Sequence, residues 1–410
     1  MEIMTDGAIE TNPDKIEQAD VVLGLPTWRA EINLPWVLRQ CAQGLGQYFP
    51  FHKAVIINAD SSGQAEAGRV FFETGSLNAG KIHLALNPAS NGKGRNTLSI
   101  LQKALRLGAK AVAILEPDAA AVKPVWVNNL LSPVLQGYDM VTPLYFNNKY
   151  DTPLTSLLVY PLLRCTWGRR VRQPLGEERA FSRHFMQILV QEYNDFLSPQ
   201  ILEDNMDIWS TMVALSHGLK LCQAYLAEPK PHYCLPGRTS EQFKQVGKML
   251  FQTLNSDSSW VNIRWSKPTA FYGLELRGSE PPYNSFFDRE EIIQNFDRCR
   301  RTSRQIVSSL PEIRDLMAAS DCHLPVKIDH SLWARLILES FCLYQKQPEM
   351  LSQILDALLP LFWARVLSFI EETEKMNSRQ VEDFFETQCR IFEQNKEVFL
   401  NQPGRSNPAV

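Results

Sequence analysis

The chain lacks the marks of several common protein classes. Its 8 cysteines are scattered from Cys41 to Cys389 without a Cys-x-x-Cys pair, so neither a zinc knuckle nor a dense disulfide framework is suggested, and a reducing cytoplasm is the expected setting. It lacks an excess of basic charge: 42 Lys and Arg stand against 45 Asp and Glu, a net of -3, which gives no electrostatic reason to expect nucleic acid. No stretch reaches the roughly 18 uninterrupted apolar residues of a membrane span. Met1 to Asp20 is polar and acidic, without the basic start and apolar core of a signal peptide. There is no internal repeat and no low-complexity tract.

What is present is length and a change of pattern. At 410 residues the chain exceeds what one hydrophobic core usually serves, so two structural units are expected. Val21 to Leu25, Ala54 to Ile57, Lys81 to Leu86 and Ala111 to Leu115 read as short buried strands. Between them, Leu34 to Tyr48 and Thr97 to Leu107 carry helical spacing. Strand, helix, strand, repeated, implies a parallel sheet with ligands beyond the carboxyl ends of its strands. That rule gathers Pro26 to Arg29, Asn58 to Ser62 and Glu116 to Asp118 around one crevice. After about residue 240 long amphipathic segments take over: Arg289 to Leu310, His330 to Tyr344, Met350 to Glu374 and Arg379 to Phe399. Their broad apolar stripes predict packing against the first half or against a second subunit, a homodimer being one outcome.

Several residues could carry chemistry, each beside a plainer reading. Glu116-Pro117-Asp118 ends an apolar strand; such an acid pair can hold a divalent cation, or it is a solvated turn. Asn91-Gly92-Lys93-Gly94-Arg95 precedes a predicted helix and could cradle phosphate, although it is not a Walker A loop and also reads as a surface turn. Arg164, Arg169, Arg170 and Arg172 suit an anionic ligand, or pair with Glu177 and Glu178 at the surface. Asp204 and Asp207 begin an apolar helix, where capping alone would explain them. His232 follows the predicted strand Leu219 to Leu226 as a metal ligand or a surface group.

The order of these signals resembles the bacterial and archaeal synthases of glucosylglycerate, glucosyl-3-phosphoglycerate and mannosylglycerate, which are retaining GT-A glycosyltransferases. The likeness spans about Val21 to Leu250 and is densest in Gly137–Tyr145, Lys149-Tyr150-Asp151, Gly168–Gly176, Asp207-Ile208-Trp209 and Cys222-Gln223-Ala224. Pro360-Leu361-Phe362 and Ser368-Phe369-Ile370 are similar to the helical extension of glucosylglycerate-type members. The resemblance implies an α/β class: a Rossmann-like, mostly parallel GT-A domain at 21–276 and a mainly helical domain at 277–400, between a flexible segment 1–20 and a tail 401–410.

It also implies roles. Pro26, Asp60, Lys93, Glu116, Asp118 and Gly176 would bind the donor, Asp118 and His232 would hold Mg2+ or Mn2+, and Asp207 would be the carboxylate near the sugar. Asp151, Thr155 and Arg170 would meet the acceptor. The implied reaction moves glucose from UDP-glucose, or mannose from GDP-mannose, to D-glycerate or a related small acceptor. Three positions depart from the family pattern: Arg29-Ala30 replaces Asn-Glu, Glu116 replaces Asp, and Glu177 replaces the second glycine of Gln-Pro-Leu-Gly-Gly-Glu. These departures motivate a second reading, a catalytically silent binding or scaffold protein. A third, a sugar nucleotidyltransferase, would need a Gly-rich loop after the first strand, where Pro26-Thr27-Trp28-Arg29 stands.

Overall fold

The computed structural model describes residues 8–28, 33–74, 79–88, 92–195, 205–226, 230, 236–257, 259–263, 265–274, 289–303 and 327–400. The chain forms two compact units that interleave along the sequence. The first comprises Met1–Phe146, Gln173–Lys230 and Thr269–Gly278; the second comprises Asn147–Arg172, Pro231–Pro268 and Ser279–Val410. The expected α/β class with a mainly helical remainder is what the structure shows, although the units do not divide at a single point near residue 277.

A nine-stranded sheet organises the first unit among the described residues, in the order β1-β4-β3-β2-β5-β7-β6-β8-β9. The strands are β1 (Ile9–Thr11), β2 (Val21–Thr27), β3 (Ala54–Asp60), β4 (Gly80–Ala85), β5 (Ala111–Ile114), β6 (Met140–Leu144), β7 (Arg179–Ser182), β8 (Leu221–Tyr225) and β9 (Ala270–Tyr272). Strands β2 to β5 pair in parallel, as do β6, β8 and β9. Strand β7 runs antiparallel between β5 and β6, and β1 runs antiparallel along β4. The chain order reverses between β2 and β5, the kind of switch point at which open α/β sheets bind ligands.

Strand β2 continues through Pro26 to Thr27, where the sequence suggested a stop at Pro26. The reason lies in the ladder. Leu115 donates its N–H to the Gly24 carbonyl, so Gly24, and Pro26 two residues on, turn their backbone polar groups toward β5. Strand β5 has ended at Ile114, and a residue without an N–H therefore forfeits no ladder bond there.

Helices cover both faces of the sheet. On one, Leu34, Val37, Leu38 and Cys41 of the helix Leu34–Tyr48 and Trp126, Leu130 and Leu131 of the helix Pro124–Leu135 close over Val21, Leu23 and Leu25. On the other lies the helix Lys93–Arg106. It comes close because β2 carries Gly24: a Cβ there would lie 2.5 Å from Ile100 Cγ2 and 2.8 Å from Ile114 Cδ1. The sequence placed this helix start at Thr97, with Lys93 in the loop before it. Instead Lys93 occupies the first turn, which Asn96 secures by donating from Nδ2 to the Thr27 carbonyl (2.9 Å) and to Ser61 Oγ (3.1 Å).

The second unit is helical, with Tyr160–Trp167, Pro236–Ser256, Arg289–Ser303, His330–Lys346, Leu351–Thr373 and Ser378–Leu400. The 26-residue stretch Pro348–Thr373 is long and apolar enough to cross a membrane, but 83% of its apolar window is buried within the protein. A π-helical turn, Thr155–Val159, leads into Tyr160–Trp167. Such a turn leaves carbonyls poorly matched, and two side chains meet them: Trp333 Nε1 donates to the Leu157 carbonyl (2.7 Å) and Gln388 Nε2 to the Ser156 carbonyl (2.9 Å).

The helix Ser378–Leu400 also takes the arginines. Arg164 pairs with Glu386 (2.6 Å) and Glu393 (2.9 Å), and Arg172 with Glu382 (3.1 Å). The expected pairing of Glu177 and Glu178 with the arginine cluster is thereby corrected. Arg164 is buried, where a guanidinium needs charged partners at close range, and Glu386 and Glu393 supply them. Nearby, Lys396 is buried with its ammonium on the carbonyls of Cys165, Trp260 and Ile263, at 2.9, 2.6 and 2.8 Å.

Two imidazoles give the fold an acid limit. Burial pushes the pKa of His83 down to about 4. The same cause, reinforced by the Arg365 charge, brings His330 to about 4. In the unfolded chain each would titrate near ~6.5, so the unfolded state binds more protons between these values. Their contribution to stability is full above that range and is lost as pH falls toward 4. Imidazole proton resonances followed from pH 3 to 8 should show two rings titrating near pH 4; midpoints close to 6.5 would contradict the burial argument.

Candidate functional site

The carboxyl ends of the parallel strands carry the expected residues of the first unit. Thr27 and Asp60 are register partners at the ends of β2 and β3, and Glu116 lies just beyond β5. The Asp60 carboxylate accepts from the Ser62 N–H (2.9 Å) and from Ser62 Oγ (3.0 Å), which shapes the loop that follows. Beneath this rim Asn58 Nδ2 donates to His83 Nδ1 (3.1 Å), leaving the imidazole proton on Nε2.

Because β7 is inverted, its beginning rather than its end arrives at the same rim: Arg179 stands opposite Ile114. The loop before β7 therefore delivers Glu177 and Glu178 beside Glu116. Gly176 makes that approach feasible, since a Cβ at this position would lie 2.2 Å from Pro143 Cγ. From the other side, β6 ends next to Tyr145 and β8 leads toward Lys230.

These ends, together with the first turns of two helices, assemble a largely enclosed cluster of charge. Lys93 Nζ lies 2.7 Å from Glu116 Oε1, 3.4 Å from Glu177 Oε1 and 3.6 Å from Asp207 Oδ2. Lys230 Nζ lies 2.5 Å from Glu177 Oε2 and 2.7 Å from Glu178 Oε1. Arg179 Nε is 3.5 Å from Asp207 Oδ1, and its Nη1 donates to the Asp207 carbonyl (2.5 Å) and to Ser210 Oγ (2.8 Å). Glu178 has no exposed surface and takes the Tyr145 hydroxyl on its second oxygen. The contacts at 3.4 to 3.6 Å exceed hydrogen-bond length and act as charge neighbours rather than directed bonds.

The electrostatics follow from burial working against proximity. Burial raises the Glu116 carboxyl above the usual range; Lys93 pulls it back only in part, and Glu177 adds to the rise. Asp207 is raised by burial against the pull of Lys93 and Arg179. Burial alone would lower Lys93, yet Asp207, Glu116 and Glu177 together hold it above the ordinary lysine value. Glu178, Glu177 and Glu116 do the same for Lys230 against its burial.

Of the expected donor-site residues, Lys93 and Glu116 thus meet Asp207, the expected carboxylate near the sugar, in one cluster with the loop after Gly176, and Pro26 and Asp60 lie on the adjoining strand ends. Asp118 is exposed, and its backbone carbonyl accepts from Asn33 Nδ2 at 3.1 Å. Asp204 and His232 lie outside the described residues. Among the described residues no three His, Cys, Asp or Glu side chains gather as a metal ion would require, and Glu116 is committed to Lys93. The described acids do not make a divalent-cation site by themselves.

Asp151, Thr155 and Arg170 belong to the second unit. There Asp151 Oδ2 accepts from the Asn148 N–H (2.9 Å), Thr155 opens the π-helical turn, and Arg170 Nε reaches Ser266 Oγ at 3.4 Å. The cluster members that sequence reasoning overlooked are Arg179, Tyr145 and Lys230. Lys230 had one readable signal, its position just past the carboxyl end of β8.

No protein-family model matches the chain, and no curated protein matches it. Among solved structures it is similar to glucosyl-3-phosphoglycerate synthase of M. tuberculosis, at 18% identity and a TM-score of 0.39, covering 58% of this chain and 81% of that one. A structure of the Mycobacterium tuberculosis enzyme in complex with Mn2+, UDP-glucose and glycerol 3-phosphate matches at 16% identity and a TM-score of 0.36, over 59% of this chain and 80% of that one.

Raised carboxyl pKa values make the cluster sensitive to alkali. In the folded protein Glu116 and Asp207 keep their protons to higher pH than in the unfolded chain, so stability falls as pH rises from the ordinary carboxylate range through their folded values. Glu116→Gln should therefore melt higher than the native protein at pH 8, with the difference shrinking at pH 5. A variant less stable at pH 8 than at pH 5, relative to the native protein, would refute this.

Proposed function

We propose that the chain is a retaining hexosyltransferase that takes glucose from UDP-glucose, or mannose from GDP-mannose, and transfers it to D-glycerate or a related small acceptor. The observation that carries this reading is the meeting of two partly buried lysines and Asp207 at the carboxyl ends of a parallel sheet, at its switch point. Partly buried ammonium groups there suit the diphosphate of a nucleotide sugar. The motif order from Val21 to Leu250 supports the same class.

In this mechanism Asp60 holds the nucleoside, Lys93 and Lys230 face the diphosphate, and Asp207 faces the sugar. The bond from the anomeric carbon to the diphosphate oxygen breaks, and the electron pair leaves with the nucleoside diphosphate. The acceptor hydroxyl forms its bond on the same face and gives its proton to the departing phosphate oxygen. Retention follows from this front-side path, and no protein nucleophile is required. Mg2+ or Mn2+ is the expected cofactor; Asp118, exposed at the strand end, is the acid to which a cation has access.

The four carboxyl groups of the cluster favour an acceptor with little negative charge. Pro153, two residues before Thr155, has neither charge nor N–H with which to hold a phosphate. The closure of Lys93 by three carboxyl groups is also what a silent scaffold would retain, and the assays separate the two readings.

With a panel of sugar nucleotides, nucleoside diphosphate should be released from UDP-glucose or GDP-mannose in the presence of D-glycerate, and Asp207→Asn should lower kcat by about 100-fold. Silence with every donor and acceptor would leave the scaffold reading. kcat/KM should favour D-glycerate over 3-phosphoglycerate; the reverse order would reveal a basic group that binds phosphate. Excess chelator should abolish turnover, with manganese restoring it in the native protein and less effectively in Asp118→Asn; full activity in chelator would remove the cation from the reaction.

A further inference from the structure

Glu177 spans two partly buried ammonium groups. One of its oxygens is 3.4 Å from Lys93 and the other 2.5 Å from Lys230, so its carboxylate sits as a bridging anion between them. Around it, four carboxyl groups (Glu116, Glu177, Glu178 and Asp207) face three cations (Lys93, Lys230 and Arg179). A diphosphate entering that ensemble would meet the Glu177 carboxylate already lying between the two ammonium groups, and at such spacing in a poorly solvated site the repulsion between like charges is large. One carboxylate has to give way.

Glu177 is the one built to do so. Its side chain is 29% exposed, against 12% for Glu116, 15% for Asp207 and 0% for Glu178. Glu178 is tied to Tyr145, and Asp207 is on a helix beside Arg179, whereas Glu177 sits on the loop between Gly176 and β7. Its link to Lys93 is also longer than the 2.7 Å contact that Glu116 makes with the same lysine. If it swings out, each lysine keeps at least one carboxyl neighbour and neither is left as an isolated buried charge.

We propose that Lys93 and Lys230 form a two-ammonium site for a diphosphate, and that the Glu177 carboxylate is its resident occupant, displaced when the diphosphate binds. This rests on the nucleotide-sugar reading above. Glu177 thereby sets the affinity threshold of the site: the ligand must supply two or more negative charges to outcompete one carboxylate held on the chain. Lys230 becomes a binding residue alongside Lys93.

The probe is inorganic pyrophosphate, titrated calorimetrically into the native protein and into Glu177→Gln, Glu177→Gly and Lys230→Gln. Removing the resident charge should tighten binding by about tenfold or more in both Glu177 variants. Loss of Lys230 should weaken it below the native level. Two different Glu177 replacements are used so that a folding defect in one does not decide the outcome. Equal or weaker affinity in both Glu177 variants, or no binding by any of the four proteins, overturns the proposal. The two readings fail separately: tighter pyrophosphate binding without sugar transfer leaves this site standing and removes the enzyme, whereas sugar transfer with unchanged affinity removes the displaced carboxylate alone.

Discussion

A lysine largely withdrawn from water must be met by anions, and much of the first unit is arranged to meet that need. Lys93 is drawn into the first turn of its helix, and the helix is seated by the missing side chain of Gly24. The anions come from elements far apart in sequence: Glu116 after β5, Glu177 before β7 and Asp207 at a helix start. Inverting β7 is what makes the supply feasible. A parallel strand at that place would bring its last residues to the rim and leave Gly176 to Glu178 at the opposite edge. The second unit obeys the same constraint with different parts, since buried Arg164 and Lys396 are matched by the glutamates of one long helix and by three carbonyls.

The readable portion of the fold was the portion with period. Leu34–Tyr48 shows its apolar stripe plainly, and the apolar runs of β2 to β5 can be buried only as strands. Two kinds of feature escaped. The four residues of β7 are too few for alternation to register, and Lys230 is a lone lysine between prolines whose meaning depends on strand ends that converge only in three dimensions. The stretch with Gly92 and Gly94 reads as a surface turn ahead of a helix that begins at Thr97; the Asn96 hydrogen bonds and the anions around Lys93 outweigh that local preference. The arginine cluster failed for a different reason. Glu177 and Glu178 are nearby in sequence, but the carboxylates that Arg164 and Arg172 select are over two hundred residues away.

Departures from a family pattern acquire physical content in this light. The side chain at position 177 fills a place that the pattern keeps bare, and its charge is absorbed by Lys230 as well as Lys93. Glu116, longer by one methylene than the usual aspartate, meets Lys93 at 2.7 Å. Only the change at 177 adds negative charge, and Lys93 and Lys230 compensate it within the cluster, while Glu116 keeps the charge of the aspartate it replaces.

The hold of Ser378–Leu400 on Thr155–Trp167 also bears on the order in which the chain can be built. Gln388 reaches a carbonyl 232 residues earlier, and Lys396 one 231 residues earlier. A ribosome making this protein at about 5–20 residues per second therefore releases the 147–172 segment many seconds before its partners exist. During that interval the buried arginine and the open carbonyls of the π turn have only water or a chaperone to satisfy them. Maturation of the second unit thus waits until Ser378–Leu400 has been made.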